Sequence, residues 1–262
     1  MFPYRDDNPT LRTPIVTIGL IVITCVVWVV VQGAGSALPL ARSICELGLI
    51  PGEVLGRVRP GTEIPLGGGM VCRLEGGGGW FTALTSMFLH GGWLHLIGNM
   101  WFLWIFGNNV EDSMGRGRFL GFYVLCGLLA AVAQVLVNPS SPIPMVGASG
   151  AISGVMGAYL ILYPKVRVHL LVFLGFFITT VSVPAYFMLV YWALLQAMGS
   201  VPMLSEGGSG GGVAFLAHLG GFVTGAASIK LFAREDLVEE HQRIMRRPRV
   251  QFRQFSGDRW YG

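Results

Sequence analysis

Six long apolar stretches, at about 13–35, 84–107, 119–137, 146–163, 168–199 and 212–233, leave this chain few ways to fold. A bilayer's hydrocarbon core is about 30 Å thick and a helix rises about 1.5 Å per residue, so each stretch can cross it, or nearly so. The fourth is short for a span and the fifth too long. Pro184 divides the fifth, which predicts a segment lying at or dipping into the interface over 168–182 and a true span over about 183–199. The expected fold is an all-α membrane protein, a six-transmembrane-helix bundle with a long exterior first loop over about 36–80. It divides into a short N-terminal segment (1–12), the six-span domain (13–233) and a basic C-terminal tail (234–262). Composition agrees, with 53% hydrophobic and only 12% charged residues, outside the range of ordinary soluble domains. The first apolar run is too long for the core of a cleavable signal and lacks a clear small-residue cleavage pattern, so it is expected to stay as an anchor.

Lys and Arg set the orientation, because they accumulate in short cytoplasmic loops. With six spans both termini share one side. That side holds Arg5, Arg12, Arg116, Arg118, Lys165, Arg167, Lys230 and the seven arginines from Arg234 to Arg259, fourteen basic residues in all. Only four, Arg42, Arg57, Arg59 and Arg73, fall on the other side, all in the first loop. Both termini are therefore expected to be cytoplasmic, and the net charge of +4 reads as topology plus attraction to anionic headgroups, with no nucleic-acid partner.

Cys45 and Cys72 share the exterior loop, where they can pair in an oxidising compartment or stay separate thiols; Cys25 and Cys126 lie in spans. The first loop is long enough to carry structure of its own, and short interfacial helices are expected there. The glycine-rich run 205–212 reads as a mobile flap before the last span. No tandem repeat is visible, and the tail beyond about 234 reads as amphipathic or disordered.

Ser149 and His218 stand out because polar and ionisable residues at membrane depth are costly and tend to be functional. The run Pro142-Ile143-Pro144-Met145 resists helix, so the fourth span is predicted to start near Gly147 or Ala148 with Ser149 in its first turn. Backbone N–H groups there lack intrahelical partners and can hold an oxyanion when a serine attacks a carbonyl. Gly150 and Gly154 in that span, and Gly221 and Gly225 in the last, repeat at the interval that lets membrane helices approach closely. Contact between these spans brings His218 within reach of Ser149, where an imidazole can take the hydroxyl proton and return it to the leaving amine. No carboxylate occurs within the last four spans, which points to a Ser-His dyad with no acidic third member. His95 and Asn99, four residues apart on one face of the second span, can donate to the same oxyanion as the Ser149 N–H. His90 is expected nearer the exterior surface, holding the first loop. The histidine pair could instead bind a metal, but no carboxylate or cysteine accompanies it at suitable depth, and neither metal nor cofactor is expected.

These residues together resemble the rhomboid family of intramembrane serine proteases. The resemblance rests on Gly147-Ala148-Ser149-Gly150, on Ala217-His218 followed by Gly221 and Gly225, on His95 with Asn99, and on Gly107, Glu111 and Gly115 at four-residue intervals. It implies that Ser149 is the nucleophile and His218 the general base, with His95, Asn99 and the Ser149 N–H as the oxyanion hole. It also implies that the Glu111 region caps the cytoplasmic end and that substrates are single-span membrane proteins cut near the exterior face. Some members carry an aromatic residue four positions after the nucleophile, stacked on the histidine; here that position is Ser153. Ser153 can hydrogen-bond near the site or permit close packing, and the substitution leaves the orientation of His218 open. Admission of substrate is expected to involve the fifth span and the glycine-rich flap. A client-binding pseudoprotease, a transporter and a metal-dependent protease are the alternatives. The expected setting is a bacterial plasma membrane, with transmembrane proteins and the lipid bilayer as partners and no oligomeric state implied.

Overall fold

The computed structural model describes residues 2–67, 69–74, 76, 79–175, 177–205 and 214–246. Beyond Ser205, the expected flap lies outside the described residues, as does the tail after Arg246. The chain is mainly helical. In order it forms β1 (Phe2–Asp6), α1 (Ile15–Val30), α2 (Ala37–Leu47), α3 (Pro51–Val54), β2 (Glu63–Gly67), β3 (Met70–Arg73) and α4 (Thr82–Thr85). Then follow α5 (Trp93–Met114), α6 (Arg116–Val137), α7 (Ser149–Leu162), β4 (Arg167–Leu174), β5 (Phe177–Pro184), α8 (Ala185–Ser205), α9 (Phe215–Phe232) and α10 (Glu235–Arg246). By length and composition α6 and α9 are apolar enough to cross a membrane core, whereas α1 and α7 are apolar but shorter.

Helix α7 sits at the centre, packed against α5, α6, α8 and α9. Glycines make the closest of these contacts. A Cβ on Gly221 would stand 2.0 Å from the Gly150 carbonyl oxygen, one on Gly225 1.9 Å from that of Gly154, and one on Gly157 2.1 Å from that of Phe222. No side chain fits at such a crossing, so α7 and α9 touch backbone to backbone. Toward the opposite end of α7 the packing changes to large rings: Phe106, Phe119, Phe122, Tyr123 and Tyr159 are fully buried. Their outward counterparts on α1, α5 and α8 are also apolar, including Val30, Leu94, Phe187 and Met198, each more than half exposed. A bundle that is greasy on its outside as well as in its core matches hydrocarbon surroundings rather than water.

Glu111, near the end of α5, accepts the N–H groups of Val16 (3.0 Å) and Thr17 (2.8 Å) and the Thr17 hydroxyl (2.8 Å). It thereby satisfies donors that the first turn of α1 cannot satisfy internally. Asp112 takes the N–H groups of Leu11 (2.6 Å) and Arg12 (3.1 Å), sewing the N-terminal segment to the same place.

The mainly helical fold expected from the sequence also carries two small sheets. In the segment expected at the interface, β4 and β5 pair as an antiparallel hairpin, joined by β1 into a three-stranded sheet of order β1-β4-β5. Val168, Val172, Ile178, Thr179, Thr180, Val181 and Val183 give both arms β-branched character, and Gly175, at φ 63°, supplies the turn. An apolar run is compatible with helix or strand, and here the branching and the turn decide. The first loop likewise holds more than short helices. β2 and β3 pair as a second hairpin, and a Cys45–Cys72 disulfide ties β3 to α2. From this stapled unit Leu49 exchanges two backbone hydrogen bonds with Met145 (3.0 and 2.8 Å), and Gly52 N–H donates to the Ser141 carbonyl (2.9 Å). The segment leading into α7 is therefore held by the first loop.

Candidate active site

Two prolines keep residues 142–145 out of helix, and Gly147, at φ 131°, turns the chain into α7, which begins at Ser149. The Gly147 N–H is pinned to the Ser86 carbonyl at 2.9 Å. Ser149 thus stands in the first turn, beside N–H groups that have no intrahelical acceptor. His218 lies one turn into α9, and the glycine crossing brings it alongside. Its Nε2 is 2.7 Å from Ser149 Oγ.

The other imidazole nitrogen, Nδ1, is 2.8 Å from Oε1 of Gln196 on α8. One turn earlier on α8, the Trp192 ring lies 6.0 Å from the His218 ring at 35°, and it also contacts Phe222 at 5.8 Å. Neither α8 residue was expected from the sequence. The signal for Gln196 was a carboxamide alone in an apolar span, since an unpaired amide there would be costly. Ser153, where an aromatic ring might have stood, is buried and donates its hydroxyl to the Ser149 carbonyl at 2.6 Å. Its hydrogen bond is local to the α7 backbone.

His95 sits across Gly147. A Cβ on Gly147 would lie 2.9 Å from His95 Nε2 and 3.5 Å from Ser149 Oγ. His95 Nδ1 accepts the Gly91 N–H at 3.3 Å, which puts the proton on Nε2, the nitrogen beside Gly147. Asn99, one turn further along α5, gives one Nδ2 proton to the His95 carbonyl at 3.0 Å, and the other has no acceptor among the described residues. All four expected residues line one cavity of about 570 Å³, together with Trp192 and Gln134.

His90 is fully buried, and Gln32, just past the end of α1, clamps its backbone, accepting its N–H at 2.8 Å and donating to its carbonyl at 2.9 Å. Its ring packs edge-on to His95 at 5.0 Å. Among the described residues no three His, Cys, Asp or Glu side chains gather as a metal site. The arrangement offers a hydroxyl, an adjacent imidazole and several N–H donors around one cavity, the parts acyl transfer requires.

Comparison with known proteins agrees with this inventory. The rhomboid domain family model matches residues 77–235, which contain every residue of the cavity just described except Pro51. The chain is 43% identical over 83 residues to the rhomboid protease GluP of Bacillus subtilis, covering 32% of this chain and 16% of that protein. It is 39% identical over 75 residues to the chloroplastic rhomboid-like protein 11 of Arabidopsis thaliana (29% and 26% covered). It is 31% identical over 94 residues to the mitochondrial rhomboid protein 1 of Saccharomyces cerevisiae (34% and 27% covered). The matched stretch spans less than a third of each of these relatives.

Proposed function

The chain belongs to the rhomboid family, and from that premise we propose that it is an intramembrane serine endopeptidase that hydrolyses peptide bonds in or near transmembrane segments of membrane proteins. The observation that carries this reading is the 2.7 Å approach of His218 Nε2 to Ser149 Oγ at the mouth of α7. In the proposed reaction Ser149 Oγ attacks the scissile carbonyl while its proton passes to His218 Nε2. The carbonyl oxygen becomes an oxyanion facing the Ser149 N–H, His95 Nε2–H and Asn99 Nδ2–H. Collapse breaks the C–N bond, the leaving amine takes the proton from His218, and the acyl group remains on Ser149. Water then attacks the ester with His218 again as base, and the free serine and the acid product result. No metal or redox step is involved.

The same reading has six helices, α1, α5, α6, α7, α8 and α9, crossing the bilayer, with 1–12 and 234–262 as flanking segments of a 13–233 catalytic domain. The reading puts both termini on the cytoplasmic side of a bacterial plasma membrane and Ser149 toward the exterior, and the fourteen basic residues assigned to the cytoplasmic side support that orientation. Substrates are single-span membrane proteins whose helix opens near small or helix-breaking residues, entering past α8.

The test is cleavage of a single-span substrate in liposomes by the wild type, Ser149→Ala and His218→Ala. The reading predicts cleavage by the wild type alone, unchanged by chelator. Wild type and Ser149→Ala that bind several substrates but behave alike would replace it with client binding.

A further inference from the structure

We propose that Gln196 is the positioning residue for His218, and that α8 rather than α7 supplies the contacts that orient the catalytic imidazole; this rests on the dyad reading above. The carboxamide oxygen can only accept, so at 2.8 Å from His218 Nδ1 it requires the proton on that nitrogen. The lone pair is then on Nε2, 2.7 Å from the Ser149 hydroxyl, the form in which the imidazole can remove a proton. The opposite tautomer would turn an N–H toward Ser149 and block attack. In soluble serine hydrolases a carboxylate fixes this choice, and losing it while keeping the geometry costs about 10⁴ in kcat. Here a neutral amide performs the same selection without burying a charge at membrane depth.

Independent observations converge on this face of α8. Gln196 is the one carboxamide in the span 183–199, whose other residues are apolar apart from Tyr186, Tyr191 and Trp192. Trp192 lies four residues before it, hence on the same helical face, and sets its ring against the His218 ring at 6.0 Å. Position 153, one turn after the nucleophile, is a serine committed to the Ser149 carbonyl, so α7 places no ring on the histidine. Both a ring and a hydrogen-bond acceptor thus reach His218 from α8.

The experiment compares Gln196→Leu and Gln196→Glu with the wild type and Ser149→Ala, reading kcat and KM for a single-span substrate in liposomes. ¹⁵N NMR of histidine-labelled protein reads the His218 tautomer separately. Leucine matches the shape of glutamine but cannot accept, while glutamate keeps an acceptor at the same reach. The expected result is a fall in kcat of about 10²-fold for Gln196→Leu with KM nearly unchanged. Gln196→Glu should stay within roughly tenfold of wild type, since the acceptor survives. The wild-type spectrum should show a protonated Nδ1 that Gln196→Leu loses. A side chain that merely packs predicts the reverse order, with Gln196→Leu active and the buried carboxylate of Gln196→Glu damaging, and that order overturns the proposal. A wild type as inert as Ser149→Ala would sink the protease reading, while the spectrum would still decide Gln196: an unprotonated Nδ1, or one unchanged in Gln196→Leu, refutes its role.

Discussion

At the scale of single residues, the proposed site depends on where its protons sit. Gly91 N–H occupies His95 Nδ1 and leaves an N–H at Nε2, whereas Gln196 Oε1 occupies His218 Nδ1 and leaves a lone pair at Nε2. In the proposed reaction the two histidines of one cavity thereby take opposite duties, donor and base, set by what their outer nitrogens meet. His95→Ala should lower kcat by about 10²-fold or more with little change in KM, as loss of an oxyanion donor does. A KM effect alone in liposome cleavage assays would assign His95 to binding instead. Ser149, His218, His95 and Asn99 were legible in the sequence because small-residue spacing and helical period bring them to one place. Gln196 was not, because nothing in a sequence says which face of α8 meets α9. The burial of His90 was hidden for a similar reason, since its partner Gln32 is 58 residues away.

At the scale of elements, two features carry the architecture: the glycine crossing of α7 with α9, and the sheet formed by the N-terminus with the hairpin. Gly221→Ala pushes a methyl into the Gly150 carbonyl, and should cost more than about 2 kcal/mol and much of the activity. Gly19→Ala on α1 meets nothing within 4 Å, and should be neutral or stabilising by up to about 1 kcal/mol. Thermal unfolding in detergent reads both, and equal effects would mean the crossing is looser than described. The crossing was legible from spacing. The sheet was not, because an apolar run over 168–182 marks a segment at the interface without fixing its backbone, and its partner β1 lies over 160 residues away. In that sheet Asp6 meets the Tyr159 hydroxyl, and burial pushes its carboxyl up to about 6, the hydrogen bond opposing. The folded form therefore holds its proton more tightly than the unfolded chain. Its contribution is full below pH about 4 and is lost as pH rises through about 6. Asp6→Asn should flatten that part of the stability profile between pH 4 and 7. An unchanged profile would show that Asp6 ionises freely.

At the scale of the whole molecule, the first loop and the bundle act together. The disulfide closes a 27-residue separation, and Leu49 and Gly52 pass that restraint to Met145 and Ser141, just ahead of the nucleophile. Closing such a loop restricts the unfolded chain by roughly 3–4 kcal/mol. Reductant should accordingly lower the melting temperature of the wild type and leave Cys45→Ser unaffected; equal responses would mean the bridge contributes nothing. The sequence left that pairing open, because two cysteines in one loop do not reveal their distance. The central claim of the proposal is that Ser149 carries the reacting oxygen. The most direct measurement is peptide mass mapping after treatment with a serine-directed phosphonate in liposomes. The account predicts one adduct on Ser149, insensitive to chelator and absent from folded His218→Ala. An adduct on Ser153, or none on a wild type that still cleaves substrate, would contradict it.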